Sequence, residues 1–311
     1  MPEHRIVSLI ASATEIVTAL GYGSQLVGRS HECDYPPSVA SLPACSSTKV
    51  DLRASSRAID DCVRRMAADG LSVYRVNAAL LDRLAPTVIV TQTQCEVCAV
   101  SLRDVEQAVC DVVTSQPRIV SLEPMALGDV WTDIRSVADA LGDAAQGERL
   151  VASLRERLER VRQRVSGRPP QSVACIEWID PLMAAANWVP ELVETAGGIA
   201  VLGHAGRHST YLTFDELAAT DPDAIAFMPC GFDIERCLAE LPVLTSRPEW
   251  RELRAVRQGH VFVTDGNQFF NRPGPRVVES AEILAELLYP DVDFGHWGTG
   301  WRVLEAQELT G

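Results

Sequence analysis

Cys95 and Cys98, two cysteines separated by two residues, are the pair whose spacing most directly suggests chemistry. Thiolates at this spacing can chelate one metal ion, with further ligands from elsewhere in the fold. The residues expected to complete a zinc site or an iron–sulfur cluster are Cys33, Cys230 and His31. A redox dithiol at a helix N-terminus is an alternative, but Glu96 opposes thiolate formation. Two buried thiols without function are the third interpretation.

The composition is typical of a soluble globular protein of two domains. The chain has 311 residues, of which 47% are hydrophobic and 23% charged. A net charge of -14 argues against a nucleic-acid partner. No apolar run is long enough to span a bilayer, and the first residues lack the order of a signal peptide. The nine cysteines, an odd number that cannot pair completely, fit a reducing compartment. If Met1 is the natural start, we expect a cytoplasmic protein; if a signal peptide was removed, we expect a periplasmic one.

Strand-like and helix-like segments alternate along the chain, which predicts parallel sheets covered by helices. The predicted strands cover 5–9, 26–30, 87–91, 118–122, 172–178, 224–228 and 261–266. The string RIVSL occurs at 5–9 and again at 118–122, and we interpret the two copies as strands of one doubly wound sheet. Residues 56–68, 75–84 and about 100–114 are predicted helices.

One long helix is predicted between the two α/β regions. Its apolar positions recur at three- and four-residue spacing: Leu150, Val151, Leu154, Leu158, Val161 and Val165. Gly167 and the prolines that follow end the helix. The predicted fold is therefore two Rossmann-like lobes joined by one long helix, with an N-terminal lobe at 1–142, the helix at 143–168 and a C-terminal lobe at 169–311.

Polar, aromatic and sulfur-containing residues follow the predicted strands directly. In open α/β sheets, ligands bind beyond the carboxyl ends of the strands. We therefore expect the two sheet edges to line one cleft between the lobes. The candidate ligand-binding residues are His31, Glu32, Tyr35, Gln92, Gln94, Glu177, Trp178, Asn187, Trp188, Cys230, Phe232, Asn267, Phe269, Asn271 and Arg272.

Each of these residues also has a structural interpretation. His31 can be a hydrogen-bonded loop residue or an axial ligand to a corrinoid cobalt or a heme iron. Tryptophan usually packs in a core, but Trp178 and Trp188 in one connection suit stacking on a flat macrocycle. Arg272 can fix a turn. No nucleophile elbow, phosphate-binding loop or dinucleotide fingerprint occurs in the sequence.

Several motifs resemble one known family, the helix-bridged (class III) solute-binding proteins of ABC importers. CDYPP at 33–37 and the strand-to-SATEI turn at 12–16 are similar to its vitamin B12- and iron-siderophore-binding members. HECDYP, TQTQCEVCAVS, EWIDP, MPCGFD and NRPGPR resemble a cobalamin-binding branch that carries cysteines. The resemblance implies a ligand between two lobes, against aromatic side chains at Tyr35, Trp178, Trp188, Phe232 and Phe269.

Our leading hypothesis is a cytoplasmic binding protein without catalysis that holds cobalamin or another corrinoid. The alternatives are a zinc or iron–sulfur protein or enzyme that uses Cys33, Cys95 and Cys98, and a thiol redox enzyme. The expected partner is a small-molecule ligand. The family also implies an ABC permease, although the absence of an export signal speaks against one.

Overall fold

The computed structural model describes residues 3–69, 71–93, 102–305 and 308. The chain forms two compact units. The N-terminal unit comprises Met1–Ala54, Ala58–Pro124 and Gly128–Ser153, and the C-terminal unit comprises Ser55–Arg57, Met125–Leu127 and Leu154–Gly311. Each unit has a sheet with parallel central strands and covering helices, which confirms the predicted α/β class. No helix among the described residues is both long and apolar enough to cross a membrane.

The first half of the chain supplies six strands and five helices in the described residues. Its strands are β1 (Ile6–Ser8), β2 (Leu26–Arg29), β3 (Ser46–Thr48), β4 (Tyr74–Val76), β5 (Val88–Gln92) and β6 (Arg118–Leu122). Its helices are α1 (Ala11–Ala19), α2 (Ser56–Ala68), α3 (Ala78–Leu84), α4 (Leu102–Asp111) and α5 (Leu127–Ala140). The main sheet has the order β2-β1-β5-β6, with all pairs parallel. Both copies of RIVSL are strands of this sheet, as predicted.

The strand order reverses between β1 and β5, because β2 lies on one side of β1 and β5 and β6 lie on the other. Such a reversal opens a crevice beyond the carboxyl ends of the two strands. Ser8 is opposite Val90 in the register, and the amide of Leu9 donates to the carbonyl of Val90 over 2.8 Å. The turn that follows β1 is therefore level with the end of β5.

Helix α6 (Ala144–Val165) is the predicted long helix. Its 22 residues extend over about 33 Å. The expected apolar face is buried at Val151, Leu154, Leu158, Val161 and Val165. The division between the two units falls within this helix, after Ser153.

The second half of the chain builds a larger, mixed sheet. Its strands are β7 (Ser172–Trp178), β8 (Met183–Ala184), β9 (Ile199–Val201), β10 (Thr210–Tyr211), β11 (Ala224–Phe227), β12 (Val261–Thr264) and β13 (Trp301–Val303). Its helices are α7 (Val189–Thr195), α8 (Phe214–Thr220), α9 (Ile234–Glu240), α10 (Pro242–Thr245), α11 (Arg254–Gln258) and α12 (Val277–Leu288). Strands β9, β7, β11 and β12 are parallel, whereas β8, β10 and β13 pair antiparallel at the edges. Val173, Ala174, Ile225 and Phe227 are buried, as expected of central parallel strands.

Several sequence predictions were wrong in detail. The helix predicted at 75–84 begins only at Ala78, because 74–76 pair with β3 as strand β4. Strands β3, β8, β9, β10 and β13 were not predicted; each has only two or three residues and gains strand structure by pairing with a neighbouring strand. Cys110 lies on the exposed side of α4.

Candidate functional site

His31 follows β2 and is held through one ring nitrogen. Its Nδ1 lies 2.9 Å from the hydroxyl of Ser46, which itself donates to Ser30 Oγ over 3.1 Å. Nδ1 of His31 also lies 3.4 Å from Ser30 Oγ, so the ring nitrogen and the two serine hydroxyls form one hydrogen-bonded group. The other ring nitrogen, Nε2, is buried without a hydrogen-bond partner in the described part of the chain. Burial and the charge of Arg29 lower the pKa of His31, so the ring is neutral.

The residues after His31 have different exposures. The carboxylate of Glu32 accepts a hydrogen bond of 3.1 Å from the hydroxyl of Tyr74 and lies 3.7 Å from Nε2 of His31. Cys33 is buried, and the hydroxyl oxygen of Thr14 lies 3.0 Å from its sulfur and 2.8 Å from Ser8 Oγ. Tyr35 is 41% exposed, so its ring is accessible.

The metal hypothesis stays a prediction. Gln94, Cys95 and Cys98 lie outside the described residues. Among the described residues, no three His, Cys, Asp or Glu side chains are grouped so that they could hold a metal ion. Cys33 and His31 are both in the N-terminal unit, whereas Cys230 belongs to the C-terminal unit.

The carboxyl ends of β5 and β6 carry polar groups. Gln92 is 3% exposed, and its Oε1 has no hydrogen-bond partner in the described residues. Beyond β6, the carboxylate of Glu123 accepts a 2.6 Å hydrogen bond from the hydroxyl of Thr93. The backbone amide of Glu123 in turn donates to Asp133 Oδ1 over 3.3 Å.

Asp133 was missed by the sequence reasoning. It is buried in α5, and its Oδ2 has no partner in the described chain. Burial raises the pKa of Asp133 to about 7, with smaller contributions from the charges of Asp129 and Glu123. Its position was a usable signal, because Asp133 lies three residues after Val130 and four before Val137, on the apolar side of an amphipathic helix.

In the C-terminal unit, Glu177 and Trp178 end β7. The carboxylate of Glu177 accepts a 2.6 Å hydrogen bond from Ser209, and burial raises its pKa. The ring of Trp178 lies 5.1 Å from that of Phe232, and its indole N–H donates to the carbonyl of Ser56 over 3.2 Å. Phe232 is buried, and the guanidinium of Arg236 lies 4.8 Å above its ring. The indole of Trp178 is thus fixed while part of it stays exposed.

Polar side chains of the loop after β12 stabilise that loop through hydrogen bonds. The amide nitrogen of Asn271 donates to the carbonyls of Met228 and Gly266, each over 2.9 Å. Arg272 is buried and donates to Asn267 Oδ1 over 3.2 Å.

Phe269, in the same loop, lies between two cationic or titratable side chains. The guanidinium of Arg276 is 5.3 Å from its ring, and the ring of His296 is 6.1 Å away. The hydrogen bond to Glu282 and nearby carboxylates raise the pKa of His296, although burial acts in the opposite direction.

The remaining candidates of the C-terminal unit have mainly structural contacts. Trp188 is buried, and its indole N–H donates to the carbonyl of Phe270 over 2.9 Å. Asn187 has a left-handed backbone, and its Oδ1 is buried without a partner in the described residues. Cys230 is exposed, and its amide donates to the carbonyl of Glu177 over 3.2 Å.

The structure therefore brings the candidates of each unit to the carboxyl edge of that unit's sheet. In the C-terminal unit hydrogen bonds link the ends of β7, β11 and β12. The amide of Cys230, after β11, donates to the carbonyl of Glu177 in β7. Asn267 and Asn271, after β12, donate to the carbonyls of Phe232 and Met228. In the N-terminal unit His31 lies just after β2, and Gln92 is the last residue of β5. The role of each residue in ligand binding stays a prediction.

Comparison with known sequences assigns the chain to a family. Residues 6–267 match the family model described as periplasmic binding protein. An uncharacterized ABC transporter substrate-binding lipoprotein, YvrC of Bacillus subtilis, is 22% identical over 92% of this chain and 80% of its own length. A protein named vitamin B12-binding protein from Vibrio vulnificus is also 22% identical, over 92% of this chain and 90% of its own length. The chain therefore belongs to the periplasmic binding protein family.

Solved structures agree on the fold. The periplasmic heme-binding protein RhuT from Roseiflexus sp. RS-1 is superimposed with a TM-score of 0.68 at 22% identity, over 94% of this chain and 100% of the other. The periplasmic vitamin B12-binding protein BtuF of Vibrio cholerae gives a TM-score of 0.65 at 19% identity, over 92% and 97% of the two chains. The predicted resemblance to helix-bridged solute-binding proteins is thereby confirmed.

Proposed function

We propose that this solute-binding protein binds a metal tetrapyrrole and that its ligand is a corrinoid of the cobalamin type. Relatives that cover nearly the whole chain are named for vitamin B12, and solved proteins of the same fold are named for heme or vitamin B12. These names support the ligand class, whereas the choice of a corrinoid depends on the residues of this chain.

The observation that carries the proposal is the partly exposed, fixed indole of Trp178. Phe232 and the carbonyl of Ser56 hold its orientation, so stacking on a flat macrocycle costs little side-chain entropy. Aromatic faces supply much of the binding energy in cofactor-sized sites. The exposed ring of Tyr35 offers a second aromatic surface in the N-terminal unit.

The charge of the chain favours a corrinoid over heme. Cobalamin carries neutral amide side groups, whereas heme carries two carboxylates. A protein with a net charge of -14 repels an anionic ligand more than a neutral one. The uncharged His31 and Gln92 side chains fit the same preference.

Titration with cyanocobalamin, followed by tryptophan fluorescence and isothermal calorimetry, tests the proposal, with hemin as the second ligand. Trp178→Ala should weaken cyanocobalamin binding about tenfold through the loss of stacking. Trp297→Ala is the matched control, because Trp297 is 61% exposed in the same unit and is not a candidate ligand residue. Absence of binding of both ligands at micromolar protein would disprove the proposal.

As partner we propose the permease of an ABC importer, in keeping with the description of the Bacillus relative. The alternative of a metal or iron–sulfur protein is tested separately by elemental analysis and an absorbance spectrum of anaerobically purified protein. Stoichiometric iron or zinc that is lost in a Cys95→Ser, Cys98→Ser variant would support that alternative.

A further inference from the structure

The carboxyl edge of the N-terminal sheet collects buried polar atoms that lack hydrogen-bond partners in the described residues. One such atom occurs near the end of each of the four parallel strands: His31 Nε2 after β2, Ser12 Oγ after β1, Gln92 Oε1 in β5 and Asp133 Oδ2 beside the turn after β6. Buried polar atoms are nearly always bonded in folded proteins, so unsatisfied ones require an explanation. Their concentration at one sheet edge points to a bound polar group.

Helix α1 begins at this edge without a cap. Ile10 is the N-cap residue and makes no side-chain cap hydrogen bond. Within the described chain, the backbone N–H groups of Ala11, Ser12 and Ala13 have no acceptor. All three residues are buried, and a buried helix start with free N–H groups normally contacts a ligand or a cap. The positive end of the helix dipole makes this turn a donor site for an oxygen atom.

Gln92 supplies a hydrogen-bond acceptor level with the start of α1. Since Ser8 is opposite Val90, the side chain of Gln92 extends from a position level with Ile10, in the crevice where the strand order reverses. Gln92 is 3% exposed and Ser12 is 1% exposed, so both side chains are shielded from water. We call the α1 residues Ile10–Ala13 together with Gln92 the α1 site.

We propose that the α1 site binds a primary carboxamide side group of the ligand. The carbonyl oxygen of the amide accepts hydrogen bonds from the free N–H groups and the Ser12 hydroxyl, and the amide NH2 donates to Gln92 Oε1. A carboxylate satisfies the same donors, but it has no proton to give to Gln92 Oε1 and bonds Gln92 only after the side-chain amide has rotated to present its NH2 group. With the amide of Gln92 oriented as in the structure, the α1 site therefore favours an amide-bearing corrinoid over a carboxylate-bearing tetrapyrrole such as heme. This inference rests on the proposed function.

The test uses cyanocobalamin and the separate cobalamin derivatives in which one side-chain amide is hydrolysed to a carboxylate. Wild-type protein should bind one of these monocarboxylates about tenfold more weakly than cyanocobalamin. Gln92→Met and Ser12→Ala should each weaken cyanocobalamin binding severalfold, and Gln92→Met should reduce the discrimination against that monocarboxylate. Gln258→Met, at an exposed position of α11, is the matched control and should change neither value.

The outcomes separate this inference from the proposed function. If wild-type protein binds cyanocobalamin and both variants bind it as tightly as Gln258→Met, the α1 site is disproved while the corrinoid proposal stands. Binding of hemin without binding of cyanocobalamin disproves the α1 site and keeps a tetrapyrrole ligand. Binding of neither ligand disproves both. Circular dichroism of each variant establishes that a loss of affinity is not a loss of folding.

Discussion

The two sheet edges differ in how their polar side chains are satisfied. In the C-terminal unit, Asn271 bonds two backbone carbonyls, Glu177 bonds Ser209, and the indole of Trp188 bonds a carbonyl. In the N-terminal unit, buried atoms of Ser12 and Gln92 have no partner in the described residues. Asn187 is an exception in the C-terminal unit, since its Oδ1 is also unpartnered there.

The difference separates two ways to build a binding surface. A polar residue that is hydrogen-bonded within the protein fixes the shape of the binding surface before a ligand binds. This lowers the entropic cost of binding. A buried polar atom without a partner costs about 1–3 kcal/mol in the free protein and recovers it when a ligand bonds it. The polar side chains of the C-terminal edge are mostly bonded within the protein. Much of the N-terminal edge instead has buried polar atoms without a partner in the described residues.

The largest effect is expected from Gly266→Ala in the C-terminal edge. A Cβ at this position would lie 2.2 Å from the carbonyl oxygen of Pro229, which is rigid backbone. We expect a loss of about 3 kcal/mol in the free energy of unfolding, measured by urea denaturation. Gly128→Ala is the control, because its Cβ meets nothing within 4 Å. Equal stabilities of the two variants would contradict a rigid C-terminal edge.

Asn271→Ala should be the next most damaging change. It removes two hydrogen bonds and leaves the carbonyls of Met228 and Gly266 without this donor. We expect a loss of about 2–3 kcal/mol in the free energy of unfolding, again by urea denaturation. A loss below about 0.5 kcal/mol would show that water replaces the side chain without cost.

Asp133→Asn should produce a pH-dependent gain in stability in the N-terminal unit. The folded-state pKa of Asp133 is raised to about 7, so its protonated form is favoured in the folded protein. Its stabilising contribution is complete below the ordinary aspartate pKa of about 4 and is lost as the pH rises through about 7. The advantage of Asp133→Asn over wild type should therefore grow by about 2 kcal/mol between about pH 5 and about pH 8.

Urea denaturation at both pH values measures this advantage. Asp139→Asn is the control, since Asp139 is exposed and pairs with Arg118 at the surface. It should change stability by less than about 0.5 kcal/mol at either pH. An advantage of Asp133→Asn that is independent of pH would show that Asp133 is ionised in the folded protein.

The smallest effect, and one of opposite sign to Asn271→Ala, is expected from Ser12→Ala. Removing a buried hydroxyl without a partner should stabilise the free protein by up to about 1 kcal/mol, helped by the helix propensity of alanine. Thermal unfolding without ligand measures it. A clear loss of stability would mean that the hydroxyl is already bonded in solution, for example by an ordered water, and would weaken the contrast between the two edges.

Much of the fold was predictable from local patterns. Burial on both faces gives the central strands their apolar runs, and α6 has its buried face where the spacing placed it. Strand β4 was missed because its residues become a strand only by pairing with β3, about 28 positions earlier in the chain. The site was predictable as a set of strand ends, but Ser12 and Asp133 were missed, because neither residue type is unusual in a helix.

The sequence by itself determined the alternation of strands and helices, the long amphipathic helix and the family, because periodicity and short motifs are local properties. Only the tertiary structure decided which polar groups are satisfied. Asn271 is hydrogen-bonded to the carbonyl of Met228, 43 positions away in the chain, and His31 is hydrogen-bonded to Ser46, 15 positions away. Gln92 Oε1, by contrast, has no partner in the described chain. Hydrogen bonding of a buried side chain depends on which distant backbone or hydroxyl group folding brings within 3 Å or so, and no local pattern encodes that distance.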